Sequence, residues 1–131
     1  MKVEGQKSPS IEERKQAFRI RTRLFAGSIV RFFAALPKNR AEIDIIARQL
    51  VRSGTSIAAN YREASRARSS DEFIAKIGIC IQESDETQLW LELLKEDCGL
   101  QLPEIDVLLA ESNELLAIFI TMSKNTKRNQ S

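Results

Sequence analysis

Three carboxylates, Glu63, Glu83 and Glu86, come nearest in type and placement to a metal or acid–base site. Helical bundles that hold a di-metal centre combine such carboxylates with Glu-x-x-His motifs. The chain contains no histidine, which excludes that motif as well as histidine-dependent catalytic triads and zinc-protease motifs. Its five glycines are isolated, so the sequence has no glycine-rich phosphate loop. We therefore predict that the protein is not an enzyme and has no catalytic, metal or cofactor site.

A polar layer is predicted between the second and third helices, where small and charged residues lie on or beside the apolar stripe. If these helices pair antiparallel, the numbers of facing residues add up to about 138, which places Arg52 opposite Glu86 and Gly54 opposite Ser84. A charge this near a core needs a partner, because unpaired burial costs on the order of several kcal/mol. The layer either fixes helix register and partner choice or forms a ligand site. Catalysis by Glu83 and Glu86 with Arg52 is the most distant alternative.

Charge is divided unevenly along the chain. Residues 1–69 hold 15 Lys/Arg and 6 Asp/Glu, a net charge of +9, whereas residues 70–131 hold 5 and 12, a net charge of −7. Two faces of opposite sign either pair within the chain or join subunits head to tail, an arrangement that closes into a ring when the geometry allows. We expect a homo-oligomer. The predicted polar layer and subunit interface comprises Arg48, Arg52, Ser56, Asn60, Arg62, Glu63, Lys76, Glu83, Glu86 and Trp90.

Basic residues crowd the first helix and the loop after it. Arginine binds phosphate through two parallel hydrogen bonds, and such binding weakens with salt. Tyr61 and Trp90, the only Tyr and Trp, are expected to be packed rather than displayed for base stacking, so binding to RNA or DNA should be largely independent of sequence. The alternative is a solvated basic face that serves assembly and the docking of a protein partner. The predicted nucleic-acid-binding residues are Arg14, Lys15, Arg19, Arg21, Arg23, Arg31, Lys38 and Arg40.

These residues are positioned by helices throughout. Apolar residues recur at alternating spacings of three and four, a period close to 3.5, which predicts left-handed crossings of about 20°. Short connections between long helices predict an all-α fold, an up-down-up-down antiparallel four-helix bundle. The predicted segments are a flexible N-terminus at 1–9, helices at about 10–36, 40–67, 70–98 and 103–123, and a flexible basic tail at 124–131.

Helix boundaries follow from local signals. Ser10, Asn39 and Ser69 each precede a glutamate by three residues, the pattern of a capping box that satisfies free backbone N–H groups. Gly99 suits the left-handed position that ends a helix, and Pro103 suits a first helical position.

Composition supports a single domain of 131 residues, with 43% apolar and 29% charged residues. No apolar run approaches the ~18 residues of a membrane span and the start lacks an apolar signal core, so we expect no membrane partner and a cytoplasmic location. Cys80 and Cys98 lie on one predicted helix at a separation of about 27 Å, which excludes a disulfide within the chain.

Parts of the second and third helices resemble a known family. The segments Arg52–Ala64, Phe73–Lys76 and Glu83–Leu94 are similar to the small bundle proteins first noticed as reading frames inside 23S ribosomal RNA intervening sequences. The resemblance extends from about residue 20 to residue 122. It implies a four-helix bundle and a ring-shaped homopentamer. A related ring protein accompanies the reverse transcriptase of diversity-generating retroelements and binds both the enzyme and nucleic acid, so the resemblance also favours nucleic-acid binding.

Overall fold

The computed structural model describes residues 8–130. Its helices are α1 (Ile11–Ala35), α2 (Ala41–Ala64), α3 (Ser70–Glu92) and α4 (Pro103–Gln130), and a π-helical segment, Leu93–Asp97, continues α3. Residues 8–130 contain no strand, so the predicted all-α, four-helix class is confirmed. None of these helices is long and apolar enough to cross a membrane. Most of the predicted flexible segment 1–9 falls outside the described residues.

Two of the three predicted capping boxes supply helix N-caps. The Ser10 hydroxyl accepts a hydrogen bond from the Glu13 backbone N–H at 3.0 Å, and the Ser69 hydroxyl caps α3 in the same way. The Asn39 box is wrong, because the N-cap of α2 is Arg40 and no side chain caps it. The Glu42 carboxylate, which that box needs, binds the Arg40 guanidinium instead.

The predicted helix-ending and helix-starting residues behave as expected. Gly99 has a φ of 69°, the left-handed conformation that glycine adopts without steric cost. Pro103 is the first residue of α4. The π-helical turn that precedes Gly99 is marked by the Cys98 N–H, which donates to the Leu93 carbonyl five residues earlier at 2.9 Å.

The C-terminal segment corrects one prediction. Residues 124–130 are not a flexible tail but the last turns of α4. Ser123 is buried, the Thr126 hydroxyl donates to the Met122 carbonyl at 2.8 Å, and the Gln130 amide donates to the Asp71 carboxylate at 2.9 Å. Lys127 and Arg128, in the last turn, also stabilise the helix through their attraction to the negative end of its dipole.

Helices α2 and α3 run in opposite directions. Ser53 and Thr87 are 2.9 Å apart at their hydroxyl oxygens, and Glu63 and Lys76 are 3.1 Å apart at their charged groups. Residue numbers therefore rise along one helix as they fall along the other. The contacts are those of a helical bundle; the left-handed sense of the crossings stays a prediction.

The core consists of the apolar stripes that the sequence predicts. The apolar residues on the inward face of α2 are buried. Ile43, Leu50 and Ile57, for example, have no exposed surface. Burying such side chains contributes about 1.5–3 kcal/mol each. At one end of the bundle the Phe18 ring packs edge-on against Tyr61 at 4.8 Å and against Phe119 at 5.5 Å, which ties α1 to α2 and α4.

Gly54 sets the distance between α1 and α2. A Cβ atom at this position would lie 3.0 Å from Cγ1 and 3.2 Å from Cγ2 of Ile29. Ile29 is fully buried, so its side chain has no free space into which to move. The two helices can approach this closely only because residue 54 has no side chain.

We predict that Gly54→Ala lowers the free energy of unfolding by about 1–3 kcal/mol, since overpacking outweighs the ~1 kcal/mol gain in helix propensity. Gly78→Ala is the matched control, because a Cβ there would meet nothing within 4 Å. That control should stabilise the protein by about 0.5–1 kcal/mol. Urea unfolding of both variants measures the difference, and a Gly54→Ala protein as stable as the control would contradict the close approach.

Candidate functional site

The basic residues predicted for nucleic-acid binding do not form one surface. Arg21 turns toward α4, where its guanidinium donates two hydrogen bonds to the Glu111 carboxylate at 2.9 and 2.7 Å and lies 3.4 Å from Glu114. These bonds raise the pKa of Arg21. Much of the charge of Arg21 is therefore balanced inside the subunit.

The loop cations are also engaged. The Lys38 ammonium donates to the Phe33 carbonyl at 3.1 Å and lies 4.3 Å from the centre of the Phe33 ring, a cation–π contact. Arg40 binds Glu42, and this pairing lowers the pKa of the Glu42 carboxyl. Lys38 and Arg40 thus hold the α1–α2 connection in place.

Arg19 is the most enclosed of the predicted binding residues. Its side chain is 10% exposed, and its guanidinium donates at 2.9 Å each to Glu12, Gln16 and the Ser65 hydroxyl. The Ser65 hydroxyl in turn donates to the Arg62 carbonyl at 2.8 Å, at the C-terminal end of α2. Arg19 therefore joins α1 to the end of α2.

Four arginines meet where these two helices face each other. Arg19 and Arg23 lie one turn apart on α1, Arg62 lies in the last turn of α2, and Arg66 lies in the turn just after that helix. Together they line a cleft of about 200 Å³, called here the arginine cleft. Within residues 8–130, the guanidinium groups of Arg23, Arg62 and Arg66 form no ion pair or side-chain hydrogen bond.

The arginine cleft suits a phosphate group. Guanidinium groups are planar forks of donors that match phosphate oxygens, and three of the four here keep their donors free of described partners. Lys15 lies one turn before Arg19 on the same face of α1, whereas Arg14 and Arg31 are exposed elsewhere on that helix. The predicted basic surface is thus reduced to a smaller, more defined site.

Two members of this cleft are not identified by the sequence patterns. Arg62 is predicted at the subunit interface, and Arg66 is absent from the predicted binding residues. The sequence does contain a signal that could have identified them. Residues 19 and 23, and residues 62 and 66, are each four apart, so each pair lies on one face of helices that are predicted to be neighbours.

The polar layer between α2 and α3 is present, but its predicted charge pair is wrong. Among residues 8–130 no ion pair joins Arg52 to Glu86, and Arg52 is exposed. The buried contact is the Ser53–Thr87 hydrogen bond, flanked by the Glu63–Lys76 ion pair at the surface. Arg52 is long enough to keep its charge in water, so it does not need Glu86.

Glu83 is the buried acid of this layer. Its side chain is enclosed, and its Oε2 atom has no hydrogen-bond partner among the described residues. Burial raises the pKa of Glu83, and the neighbouring Glu86 carboxyl raises it further; Arg52 and Ser56 oppose this effect. The Glu83 carboxyl therefore holds its proton more readily than an isolated glutamate does.

The other residues of the predicted polar layer and subunit interface form separate contacts. Asn60 donates to the Ser56 carbonyl and hydroxyl at 2.9 Å each, and Arg48 pairs with Asp44 at 2.9 Å on its own helix. Trp90 is half-buried, and its indole N–H is enclosed without an acceptor in the described part of the chain. These polar groups form separate contacts along α2 and α3 rather than one network.

The described residues offer no metal centre and no disulfide. No group of three or more metal-ligating side chains lies together within residues 8–130. Cys80 and Cys98 are free and buried, in agreement with the predicted absence of a bridge between them. Burial raises the pKa of Cys80 to about 12, so its thiol is neutral and unreactive at neutral pH.

We predict that Glu83→Gln changes the pH dependence of stability. The raised pKa of Glu83 means that the folded state binds its proton more tightly than the unfolded state does, so wild-type stability falls as the pH rises through that pKa. Glutamine cannot ionise, so the substitution should stabilise the protein more at about pH 7.5 than at about pH 4.5. Urea unfolding at both pH values, with exposed Asp85→Asn as the control, measures the effect. The same change in stability at both pH values would contradict it.

Comparison with known proteins places this architecture in a family. Residues 14–121 match the family described as 23S rRNA-intervening sequence protein. A crystal structure of a protein of unknown function from the S23 ribosomal protein family of Bacteroides thetaiotaomicron is similar, with 33% identity and a TM-score of 0.75. The similarity covers 84% of this chain and 97% of that one. No curated protein matches the chain. The chain belongs to the 23S rRNA-intervening sequence protein family.

Proposed function

We propose that this protein is a non-enzymatic, ring-forming bundle that binds the phosphate backbone of RNA through the arginine cleft. The arginine cleft itself is the observation that supports this function most strongly. Four arginines line this cleft and their like charges repel, and the Glu12 carboxylate bound to Arg19 offsets only part of that repulsion. A polyanion would relieve that repulsion.

The chemistry of the cleft favours backbone contact over base reading. Tyr61 is buried in the aromatic cluster, and Trp90 lies on α3 rather than beside the cleft. Without an aromatic platform beside the arginines, affinity comes from phosphate contacts and falls with salt. Structured RNA and duplex DNA should both bind, with little dependence on sequence.

Assembly into a ring would place several copies of this weak binding site on one particle and so raise the overall affinity for RNA. The basic half of the chain and the acidic half give each subunit two faces of opposite charge. The polar residues of α2 and α3, with Glu83 and Glu86 near Arg52, supply groups that a neighbouring subunit could contact. Head-to-tail association through such faces closes into a ring when the geometry allows. The number five rests on the resemblance to the family alone.

A protein-interaction scaffold is the alternative function. Arg21, Arg40 and Arg19 already have carboxylate partners inside the subunit, which lowers the charge that α1 offers to a polyanion. In that case the remaining charges serve only assembly and docking of a protein. The following two experiments separate binding from assembly.

We predict that Arg62→Ala combined with Arg66→Ala weakens RNA binding and lowers the slope of log affinity against log salt by about 1 for each phosphate that the variant no longer binds. Fluorescence anisotropy with labelled structured RNA and duplex DNA, at low and physiological salt, measures both quantities. The matched control, Lys124→Ala with Lys127→Ala, removes two exposed charges from α4. If both variants weaken binding equally, the arginine cleft has no specific role in binding RNA. If the wild-type protein does not bind at tens of micromolar, the protein-interaction scaffold is the better explanation.

We predict that Glu86→Arg lowers the oligomer mass, because it places a cation in the acidic part of the predicted subunit interface, beside Glu83. Light scattering after size-exclusion chromatography reports the mass as a multiple of the 14.8 kDa subunit. Glu92→Arg, an exposed change on the same helix, is the control, and circular dichroism checks folding. If Glu86→Arg keeps the full mass, the interface lies elsewhere.

A further inference from the structure

We propose that a groove between α1 and α4 binds an amphipathic helix of a partner protein, a role separate from RNA binding and assembly. This α1–α4 groove has two sections, of about 590 and 670 Å³, which meet at Ser28, Val107 and Leu108. Along α1 it extends from Ala17 to Leu36, which at ~1.5 Å per residue is about 28 Å.

The groove exists because small side chains line both walls. Ala17, Ser28 and Ala35 face it from α1, and Ala110 faces it from α4. α1 packs against α2 far more than against α4. The space between α1 and α4 is therefore left open except where the Arg21 guanidinium joins α1 to Glu111 and Glu114 of α4.

Its walls are apolar and uncovered. Val107 is 68% exposed, Leu24 54% and Ile20 48%, and all three line the groove. Buried Phe32 and Leu108 form part of its inner surface. Covering such surface gains roughly 25 cal/mol per Å², so a partner that buries these apolar walls would gain binding free energy.

Charge complementarity identifies the occupant. The α1 wall carries Arg31, whose guanidinium has only the Ser28 hydroxyl as a side-chain partner in the described residues, at 3.4 Å. The α4 wall carries Glu104, which forms no ion pair within residues 8–130, whereas Glu111 and Glu114 further along that wall are already paired with Arg21. One wall is therefore positive and the other negative. The matching helix has an apolar face flanked by acidic residues on one side and basic residues on the other.

Shape favours a single helix over a second copy of this face. Helices pack by inserting a ridge into a groove. Two copies of the α1–α4 face would set one hollow against another and leave a cavity between them. A single amphipathic helix is a ridge, with apolar side chains every three or four residues to fill both sections.

The test uses three labelled helical peptides of about 18 residues, long enough to span the groove, with the same apolar face. One has a glutamate flank and a lysine flank, the second has glutamate on both flanks, and the third has lysine on both. Fluorescence anisotropy should show that the mixed peptide binds about tenfold more tightly than either single-charge peptide. Because reversing a helix exchanges its flanks, the mixed peptide matches both walls in one of its two directions, whichever flank carries the glutamates.

Two protein variants locate the binding. Ser28→Phe fills the point where the sections meet and should weaken the mixed peptide about tenfold, whereas Ala34→Phe, on the exposed side of the same helix, should not. RNA affinity should be unchanged in both variants. No binding at hundreds of micromolar, equal binding of the three peptides, or indifference to Ser28→Phe would overturn the proposal. A lower oligomer mass in Ser28→Phe would also overturn it, because a second copy would then occupy the groove.

Discussion

The close packing of α2 is the constraint on which the other features depend. Gly54 has no side chain to separate α2 from Ile29 of α1, and Ser53 forms a buried hydrogen bond with Thr87 of α3. Because α2 holds both neighbours tightly, α1 lies nearer to α2 than to α4. The same packing sets the end of α2 against the middle of α1, which brings two pairs of arginines together, and leaves the opposite side of α1 open.

Sequence patterns predicted the features that depend on local chemistry and periodicity. The Ser10 and Ser69 caps, Gly99 and Pro103 depend on a few adjacent residues, so they could be located directly. The apolar residues that face the core could also be predicted, because burial of one helix face requires them to recur every three or four residues. The Asn39 cap failed for the converse reason: its glutamate had a nearer partner in Arg40, and short patterns do not show such competition.

The site was less predictable because it depends on which long side chains meet across helices. Arg21 pairs with Glu111, ninety residues away, and no local pattern indicates this pairing. Arg52 and Glu86 were correctly placed on neighbouring helices, but flexible charged side chains gain little from pairing at a surface and Arg52 remains in water. The C-terminal residues looked like a polar tail, yet Gln130 reaches Asp71 on another helix.

The position of Arg19 has a further consequence for the arginine cleft. Folding already fixes this guanidinium through Ser65, Gln16 and Glu12, so it loses little conformational freedom when a ligand arrives. Ordering a flexible side chain on binding costs about 0.5–1.5 kcal/mol, a cost that applies to Arg23, Arg62 and Arg66 but hardly to Arg19. One residue thus gives the cleft a rigid wall while the other three stay adaptable. Those three can therefore change with little risk to the fold, whereas a change at residue 19 would affect both the fold and the proposed binding.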